Sequence, residues 1–181
     1  MPEVLLIHPT VHEDRRGTFR ETFSEKRLRV EHGIDRDWPQ DNHSNSHANV
    51  LRGIHFQLGA PQGKLVSCML GSIFDVAVDL RPDSSSFGLW VGTELSRSNG
   101  LQLWIPEGFG HGFLVLTESA DVTYKVTCLY QAGSSRTLAY DDPSVAVAWP
   151  INGEPILSEE DARGLSLDDV RELLTAAPPD H

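Results

Sequence analysis

The chain has 181 residues, of which 39% are hydrophobic and 23% are charged, a composition typical of globular proteins rather than disordered or fibrous ones. Its length suits one domain with its own core, so we expect a single domain over residues 1–181. The formal charge of -11 argues against nucleic acid or an acidic membrane as a partner, because their binders usually present a basic face. A small anion could still bind where a few cations converge.

Signals for export or for membrane insertion are lacking. The first apolar run, residues 4–7, is too short for the core of a signal peptide, and no run approaches the roughly eighteen residues that a membrane span needs. Cys68 and Cys128 lie far apart and form no CxxC motif. We therefore expect a cytoplasmic protein with reduced thiols and no membrane partner.

Short segments rich in β-branched and aromatic residues recur along the chain between glycine, proline and asparagine turn signals. The clearest predicted strands are residues 4–7, 64–69, 73–80, 89–95, 101–105, 112–116 and 121–129. Residues 40–57 indicate a strand-turn-strand unit. Many short strands at this spacing predict an all-β sandwich or barrel.

Helical patterns are confined to two places. One begins after the N-cap candidate Ser24 and stops at Gly33; the other lies near the C-terminus, where Ser158 opens a capping-box pattern and residues 166–176 form a short amphipathic helix. Residues 177–181 are predicted to be a frayed tail. We thus expect N-terminal strands with a short helix over about residues 1–50, a β core over 51–150 and a helical segment over 151–181.

Polar side chains suited to an active site are concentrated in residues 40–64. Gln40 and Asn42 provide amides, Arg52 a fixed cation, His55 an imidazole and Lys64 an ammonium, and apolar residues surround them in the sequence. Polar groups at core positions lower stability unless they are partnered or used. Each residue alone also fits a structural role, but the clustering favours a functional site.

A second cluster, residues 100–113, contains a glycine, a proline six residues later, another glycine and then His111. This spacing resembles the second conserved motif of the cupin jelly rolls, in which the histidine is often a metal ligand. The first cupin motif would need a second histidine after His55, but Gln57 stands there, and Val115 replaces a later asparagine. A stable divalent site needs about three protein ligands. We therefore expect a cupin-type jelly-roll barrel without a metal or another cofactor.

A longer series of ordered blocks resembles the signature of the dTDP-4-dehydrorhamnose 3,5-epimerases. The blocks are residues 14–21, 40–42, 50–57, 63–66, 74–81, 87–88, 104–109, 111–113, 124–125, 130, 141–143, 149–150 and 157–158. They span nearly the whole chain. The resemblance implies an isomerase of dTDP-rhamnose biosynthesis that epimerises C3 and C5 of dTDP-4-dehydro-6-deoxy-D-glucose, giving dTDP-4-dehydro-L-rhamnose.

The resemblance also implies catalytic roles. His55 matches the base that removes a proton next to the ketone, and Asp161 matches the carboxylate that holds this histidine. Lys64 matches the cation that stabilises the enolate oxygen. Tyr124 matches the proton donor on the opposite face of the sugar.

Substrate contacts carry over from the same resemblance. The residues implied to bind the sugar nucleotide are Arg16, Glu21, Gln40, Asn42, Arg52, His111 and Tyr130. The arginines suit phosphate oxygens, and Tyr130 matches an aromatic residue that stacks on thymine. Family members are typically homodimers that exchange N-terminal strands, so Arg16 and Glu21 serve either their own site or that of the neighbouring subunit.

Two positions depart from the family pattern. Ser135 stands where a glutamate is usual, and Glu160 stands where a lysine often precedes the aspartate. These departures leave open an alternative, a single-site 3- or 5-epimerase of a related dTDP-4-keto-deoxysugar in surface glycan or secondary-metabolite synthesis. A non-catalytic or metal-binding cupin would be expected to lose the base, the acid and the cation together, whereas this chain contains all three residues.

Overall fold

The structure, a computed structural model, describes residues 1–176. The predicted tail, residues 177–181, lies outside the described residues. The strands are β1 (Leu5–Ile7), β2 (Val11–Asp14), β3 (Gly17–Arg20), β4 (Gln40–His47), β5 (Leu51–Gln57), β6 (Lys64–Leu70), β7 (Ser72–Asp79), β8 (Trp90–Ser96), β9 (Gln102–Ile105), β10 (Phe109–Val115), β11 (Ser119–Val126) and β12 (Ser135–Thr137). The helices are α1 (Glu25–His32), a 3-10 helix (Asp161–Arg163) and α2 (Leu167–Ala176). None of these helices has the length and apolar character needed to cross a membrane.

Two five-stranded antiparallel sheets form the body of the protein. The first sheet has the order β1-β9-β6-β11-β4, and the second has the order β12-β5-β10-β7-β8. Strands β2 and β3 form a separate hairpin. Consecutive strands repeatedly fall in different sheets, so residues that are close in sequence reach opposite walls of the space between the sheets.

Each of the seven clearest predicted strands corresponds to a strand of the structure, with shifted ends. Strand β10 begins at Phe109, three residues before the predicted start, because Gly110 and Gly112 dilute the apolar pattern there. Strand β11 ends at Val126, three residues before the predicted end. Both strands of the predicted unit at residues 40–57 are present as β4 and β5.

Helix α1 has the predicted ends. The Ser24 hydroxyl accepts a hydrogen bond from the Arg27 N–H, and Gly33 adopts φ 70°, a left-handed conformation that terminates many helices. The capping pattern at Ser158 begins a single 3-10 turn rather than an α-helix. There the Ser158 hydroxyl accepts from the Asp161 N–H and donates to the Asp161 carboxylate.

The apolar core has two main parts that share the second sheet. One part fills the space between the sheets and includes Val66, Ile73, Leu95, Ile105, Phe109, Phe113 and Val122. The other packs the C-terminal segment on the outer face of the second sheet and includes Ile54, Phe56, Val76, Val78, Leu138, Leu167 and Val170. The 3-10 helix lies against β5.

A β-bulge interrupts the pairing of β5 with β10. His111 lies opposite His55 and Phe113 lies opposite Arg52, so three residues of β5 span the distance of two on β10. Side chains alternate along a regular strand, and a three-residue separation would send Arg52 and His55 to opposite faces. The bulge turns both toward the interior. It requires Gly53, which has φ 96° and whose added Cβ would lie 2.5 Å from the His111 carbonyl oxygen.

Gly53→Ala is expected to lower the free energy of unfolding by about 1–3 kcal/mol, because it forces a side chain into a left-handed conformation and against β10. Urea unfolding followed by circular dichroism measures this. Gly133→Ala is the matched control, since an added Cβ there meets no atom within 4 Å, and a change below about 0.5 kcal/mol is expected. Equal effects of the two substitutions would contradict the bulge interpretation.

Candidate active site

A cavity of about 320 Å³ opens between the two sheets. Its walls combine polar and aromatic side chains from both sheets and from the segments that follow β11 and precede the 3-10 helix. The lining residues are Gln40, Asn42, Ser44, Arg52, His55, Phe56, Gln57, Gln62, Lys64, His111, Phe113, Tyr124, Tyr130, Ser135 and Glu160. The two polar clusters of the sequence therefore meet in one place.

Strand register assembles the wall from the first sheet. Tyr124 on β11 lies opposite Asn42 on β4, and Val126 lies opposite both Gln40 and Lys64. Directly opposed residues project to the same face, as do residues two apart on one strand. Gln40, Asn42, Lys64 and Tyr124 consequently share the inward face. The inward positions of β4 are polar throughout, which suits a strand that borders a ligand cavity.

The second sheet supplies the facing wall. His55 on β5 lies opposite His111 on β10, so the two imidazoles are neighbours on the inward face. Arg52 reaches inward because of the bulge, and its Nε donates to the Ser46 hydroxyl at 2.9 Å. Since Ser46 belongs to β4, this hydrogen bond links the two sheets at one side of the cavity.

His55 and Asp161 form a hydrogen-bonded pair. His55 Nε2 lies 2.6 Å from Asp161 Oδ1, and the imidazole is 40% exposed while the carboxylate is 4% exposed. Asp161 Oδ1 also accepts from the Gly53 N–H, and Oδ2 accepts from the Ser158 hydroxyl. The carboxylate is thus fixed from three directions, and it fixes the ring orientation and tautomer of His55.

The pKa of Asp161 reflects opposing effects. Burial alone raises it, but the hydrogen bond and charge of His55, the Ser158 hydroxyl and the Gly53 N–H outweigh burial and leave the pKa below its usual value. The carboxylate is therefore ionised at neutral pH and can stabilise a positive charge on His55.

Lys64 is a buried cation and the first residue of β6, with 6% of its surface exposed. Burial lowers the pKa of its ammonium to about 8, although the negative charge of Asp75 and an interaction with Cys128 oppose that shift. The side chain therefore carries a proton at neutral pH but loses it in mildly alkaline solution.

Tyr124 faces the histidines from the first sheet. Its ring centroid lies 6.3 Å from that of His111. Burial raises the pKa of its phenol, an effect that the positive charge of Arg52 opposes and Tyr130 increases. The hydroxyl is therefore protonated at neutral pH and is a potential proton donor.

Tyr130 lies at the edge of the cavity on a segment that is attached to both sheets. Its backbone N–H donates to Gln40 Oε1 at 2.9 Å, and Gln40 Nε2 donates to Asn42 Oδ1 at 2.8 Å. The next residue, Gln131, donates its N–H to Gln57 Oε1 at 2.8 Å. The aromatic ring is exposed and free to meet a ligand, while its backbone is held in place.

Some residues of the site had no role predicted from sequence. Gln57, considered there only as a replacement for a metal ligand, anchors the Tyr130 segment through donors and acceptors. Asp75 accepts a hydrogen bond from His111 Nε2 at 2.7 Å and has no exposed surface. The signal for Asp75 was an acidic residue with apolar neighbours on both sides in the middle of β7, whereas the other acid of this strand, Asp79, lies at its end.

Arg16 and Glu21 do not line this cavity. Arg16 lies at the turn of the β2–β3 hairpin, where it forms an exposed ion pair with Asp14, and Glu21 pairs with Arg27. Ser135 and Glu160, the two departures from the family pattern, do line the cavity. Within residues 1–176, no group of three or more His, Cys, Asp or Glu side chains is arranged to hold a metal ion.

Comparisons with known proteins agree with this geometry. The family model described as dTDP-4-dehydrorhamnose 3,5-epimerase matches residues 1–169. A dTDP-4-dehydrorhamnose 3,5-epimerase of Neisseria gonorrhoeae is 47% identical over 164 residues, which cover 91% of this chain and 50% of that protein. The chain thus spans about half the length of this relative.

Solved structures extend the comparison. The dTDP-6-deoxy-D-glucose-3,5-epimerase of Legionella pneumophila, in complex with dTDP-4-keto-L-rhamnose, superposes with a TM-score of 0.94 at 44% identity, covering 100% of this chain and 95% of that one. A 3'-monoepimerase from Streptomyces bikiniensis, in complex with dTDP-quinovose, has a TM-score of 0.88 at 31% identity and covers 97% and 89%. The predicted cupin-type barrel is confirmed. The chain belongs to the dTDP-4-dehydrorhamnose 3,5-epimerase family and is an epimerase.

Proposed function

We propose that the protein epimerises C3 and C5 of dTDP-4-dehydro-6-deoxy-D-glucose and so produces dTDP-4-dehydro-L-rhamnose. The observation that carries the proposal is the placing of the His55–Asp161 pair and Tyr124 on facing walls of one cavity that also contains the buried Lys64. Epimerisation next to a ketone needs a base on one face, an acid on the other and a cation for the enolate oxygen. These residues provide each of them.

In this mechanism His55 removes the proton from the carbon next to the C4 ketone. The ionised Asp161 stabilises the imidazolium that forms, because it already accepts the Nε2 proton. The exposure of the imidazole lets its proton exchange with solvent. The Lys64 ammonium stabilises the negative charge on the enolate oxygen, and its burial strengthens that interaction. Tyr124 then returns a proton from the opposite face.

The dTDP moiety binds at the rim of the cavity. Arg52, Gln40 and Asn42 provide cationic and amide donors for the diphosphate and sugar oxygens, and the exposed Tyr130 ring stacks on thymine. His111 contacts the sugar. Local cations in this cavity reconcile an anionic substrate with a chain whose formal charge is -11.

A homodimer with exchanged N-terminal strands completes the site in this proposal. Strand β2 is exposed along its whole length, and Phe19 on β3 is 71% exposed. Arg16 and Glu21 lie outside the cavity of their own chain, which supports a role in the neighbouring subunit's site. We also place the protein in the cytoplasm, consistent with the Cys68 thiol, which donates a hydrogen bond to the Leu70 carbonyl.

Proton NMR in deuterated water tests the reaction directly. With dTDP-4-dehydro-6-deoxy-D-glucose, we expect deuterium at both C3 and C5 and accumulation of dTDP-4-dehydro-L-rhamnose. Exchange at one carbon alone would favour the single-site alternative.

His55→Asn is expected to slow exchange about 10²–10⁴-fold while dTDP still binds. His43→Asn, on the outward face of β4, is the matched control; normal exchange in His55→Asn would contradict the base assignment.

Tyr124→Phe is expected to slow product formation about 10²–10⁴-fold and to affect loss of the substrate proton much less, because the phenol acts after deprotonation. Deuterium wash-in and product formation are followed in the same NMR samples. Tyr140→Phe removes a hydroxyl from a residue that does not line the cavity, so its rates should match the wild type. Equal slowing of both steps in Tyr124→Phe would count against its role as the donor.

Activity should fall as the pH rises through about 8, because the required protonated form of Lys64 is lost there. Lys64→Arg keeps a positive charge that does not titrate in this range, so this alkaline decline should disappear even if turnover is about tenfold lower. Lys64→Met should lose about 10²–10³-fold at every pH. Profiles of kcat/KM against pH measure these effects. Persistence of the decline near pH 8 in Lys64→Arg would show that another group causes it.

A further inference from the structure

Asp75 is a buried carboxylate on the inward face of β7. Its Oδ1 accepts the hydrogen bond from His111 Nε2, and its Oδ2 is buried with no hydrogen-bond partner in residues 1–176. A buried carboxylate with so few partners is costly unless a positive charge lies near it. Asp75 does not line the cavity. Its charge therefore acts on the cavity through electrostatics and not by direct contact with a ligand.

The cavity offers two cations that could balance this charge. Arg52 is exposed and directs its guanidinium to Ser46 and the Asn45 carbonyl. Lys64 is buried and lines the same cavity as His111, the residue that holds Asp75. Water and salt screen exposed charges strongly and buried charges weakly. The electrostatic attraction of Asp75 to the buried Lys64 is therefore screened less than its attraction to the exposed Arg52.

We propose that Asp75 is a positioning residue that keeps Lys64 protonated through its buried negative charge, while the hydrogen bond from His111 fixes the place of that carboxylate. The inference rests on the proposed function, in which the Lys64 ammonium stabilises the enolate oxygen. The proposal explains why Asp75 Oδ2 has no hydrogen-bond partner in residues 1–176. A carboxylate whose oxygens all accept hydrogen bonds would act less strongly on the charge of the lysine.

Other groups around Lys64 do not replace Asp75. The titratable and charged groups that line the cavity with Lys64 are Arg52 and His55 from β5, His111 from β10, Tyr124 from β11, Tyr130 beyond β11 and Glu160 before the 3-10 helix. The groups whose charges act on Lys64 are Asp75 from β7 and Cys128 beyond β11. Burial lowers the pKa of Lys64, and Asp75 is the first of the charges that oppose this effect. Removing that carboxylate would let the ammonium lose its proton at a lower pH.

Lysine NMR can test this in the ligand-free protein. The chain contains three lysines, Lys26, Lys64 and Lys125, so the ¹³Cε signal of Lys64 can be assigned from its loss in Lys64→Arg. Asp75→Asn preserves the shape and an acceptor for His111 but removes the charge. We expect the titration midpoint of Lys64 to fall by about one pH unit or more. An unchanged midpoint would overturn the proposal.

His111→Asn separates the carboxylate charge from the imidazole ring. It keeps Asp75 and provides an amide that can still donate to it, so the Lys64 midpoint should stay near the wild-type value. A fall as large as that in Asp75→Asn would assign the effect to the ring and overturn the proposal. Circular dichroism establishes that both variants are folded.

The wild-type protein provides a second measurement if Asp75→Asn does not fold. The ¹³C carboxylate signal of Asp75 should shift at the same pH as the Lys64 signal, because each group responds to the charge of the other. A flat Asp75 signal through the Lys64 titration would overturn the proposal.

Turnover distinguishes this inference from the proposed function. In Asp75→Asn the alkaline decline of kcat/KM should move by the same amount as the Lys64 midpoint. If the midpoint moves and the decline does not, Asp75 still controls the charge of Lys64, and the assigned role of Lys64 in catalysis is wrong.

Discussion

The bulge at Gly53 is the constraint on which the arrangement of the cavity depends. It turns Arg52 and His55 to the same face of the second sheet, and its backbone N–H is one of the groups that hold Asp161. Gly53 also has no side chain and so leaves room for the backbone of β10. The orientation of the His55 imidazole and the position of the Asp161 carboxylate therefore originate in one stretch of main chain.

Much of this structure could be predicted where the sequence obeys a simple period. Apolar strands such as β6 and β7 were found from composition, and α1 from its serine and glycine ends. Strand β12 has three residues, and the β2–β3 hairpin buries almost nothing, so neither has the apolar signal on which strand prediction relies. Their presence depends on pairing with distant segments or with each other.

The site was predicted less evenly than the fold. Sequence blocks identified His55, Lys64 and Tyr124, and the structure brings them to one cavity. Asp75 escaped prediction because an acid between apolar residues of a strand gives no indication of its partner, and His111 comes within reach of it only when β10 pairs with β7. Arg16 lies outside the cavity, and its predicted contact with substrate remains a prediction because a second subunit would be needed to complete it.

The segment that carries Tyr130 is attached to Gln40 on one sheet and, through Gln131, to Gln57 on the other. This segment therefore connects the two sheets at the open end of the barrel. A movement that separates the sheets at this rim must stretch one of these two hydrogen bonds or shift the aromatic ring. The width of the opening and the position of the Tyr130 ring therefore change together, and the ring keeps its place relative to His55 and Tyr124 without being tightly packed.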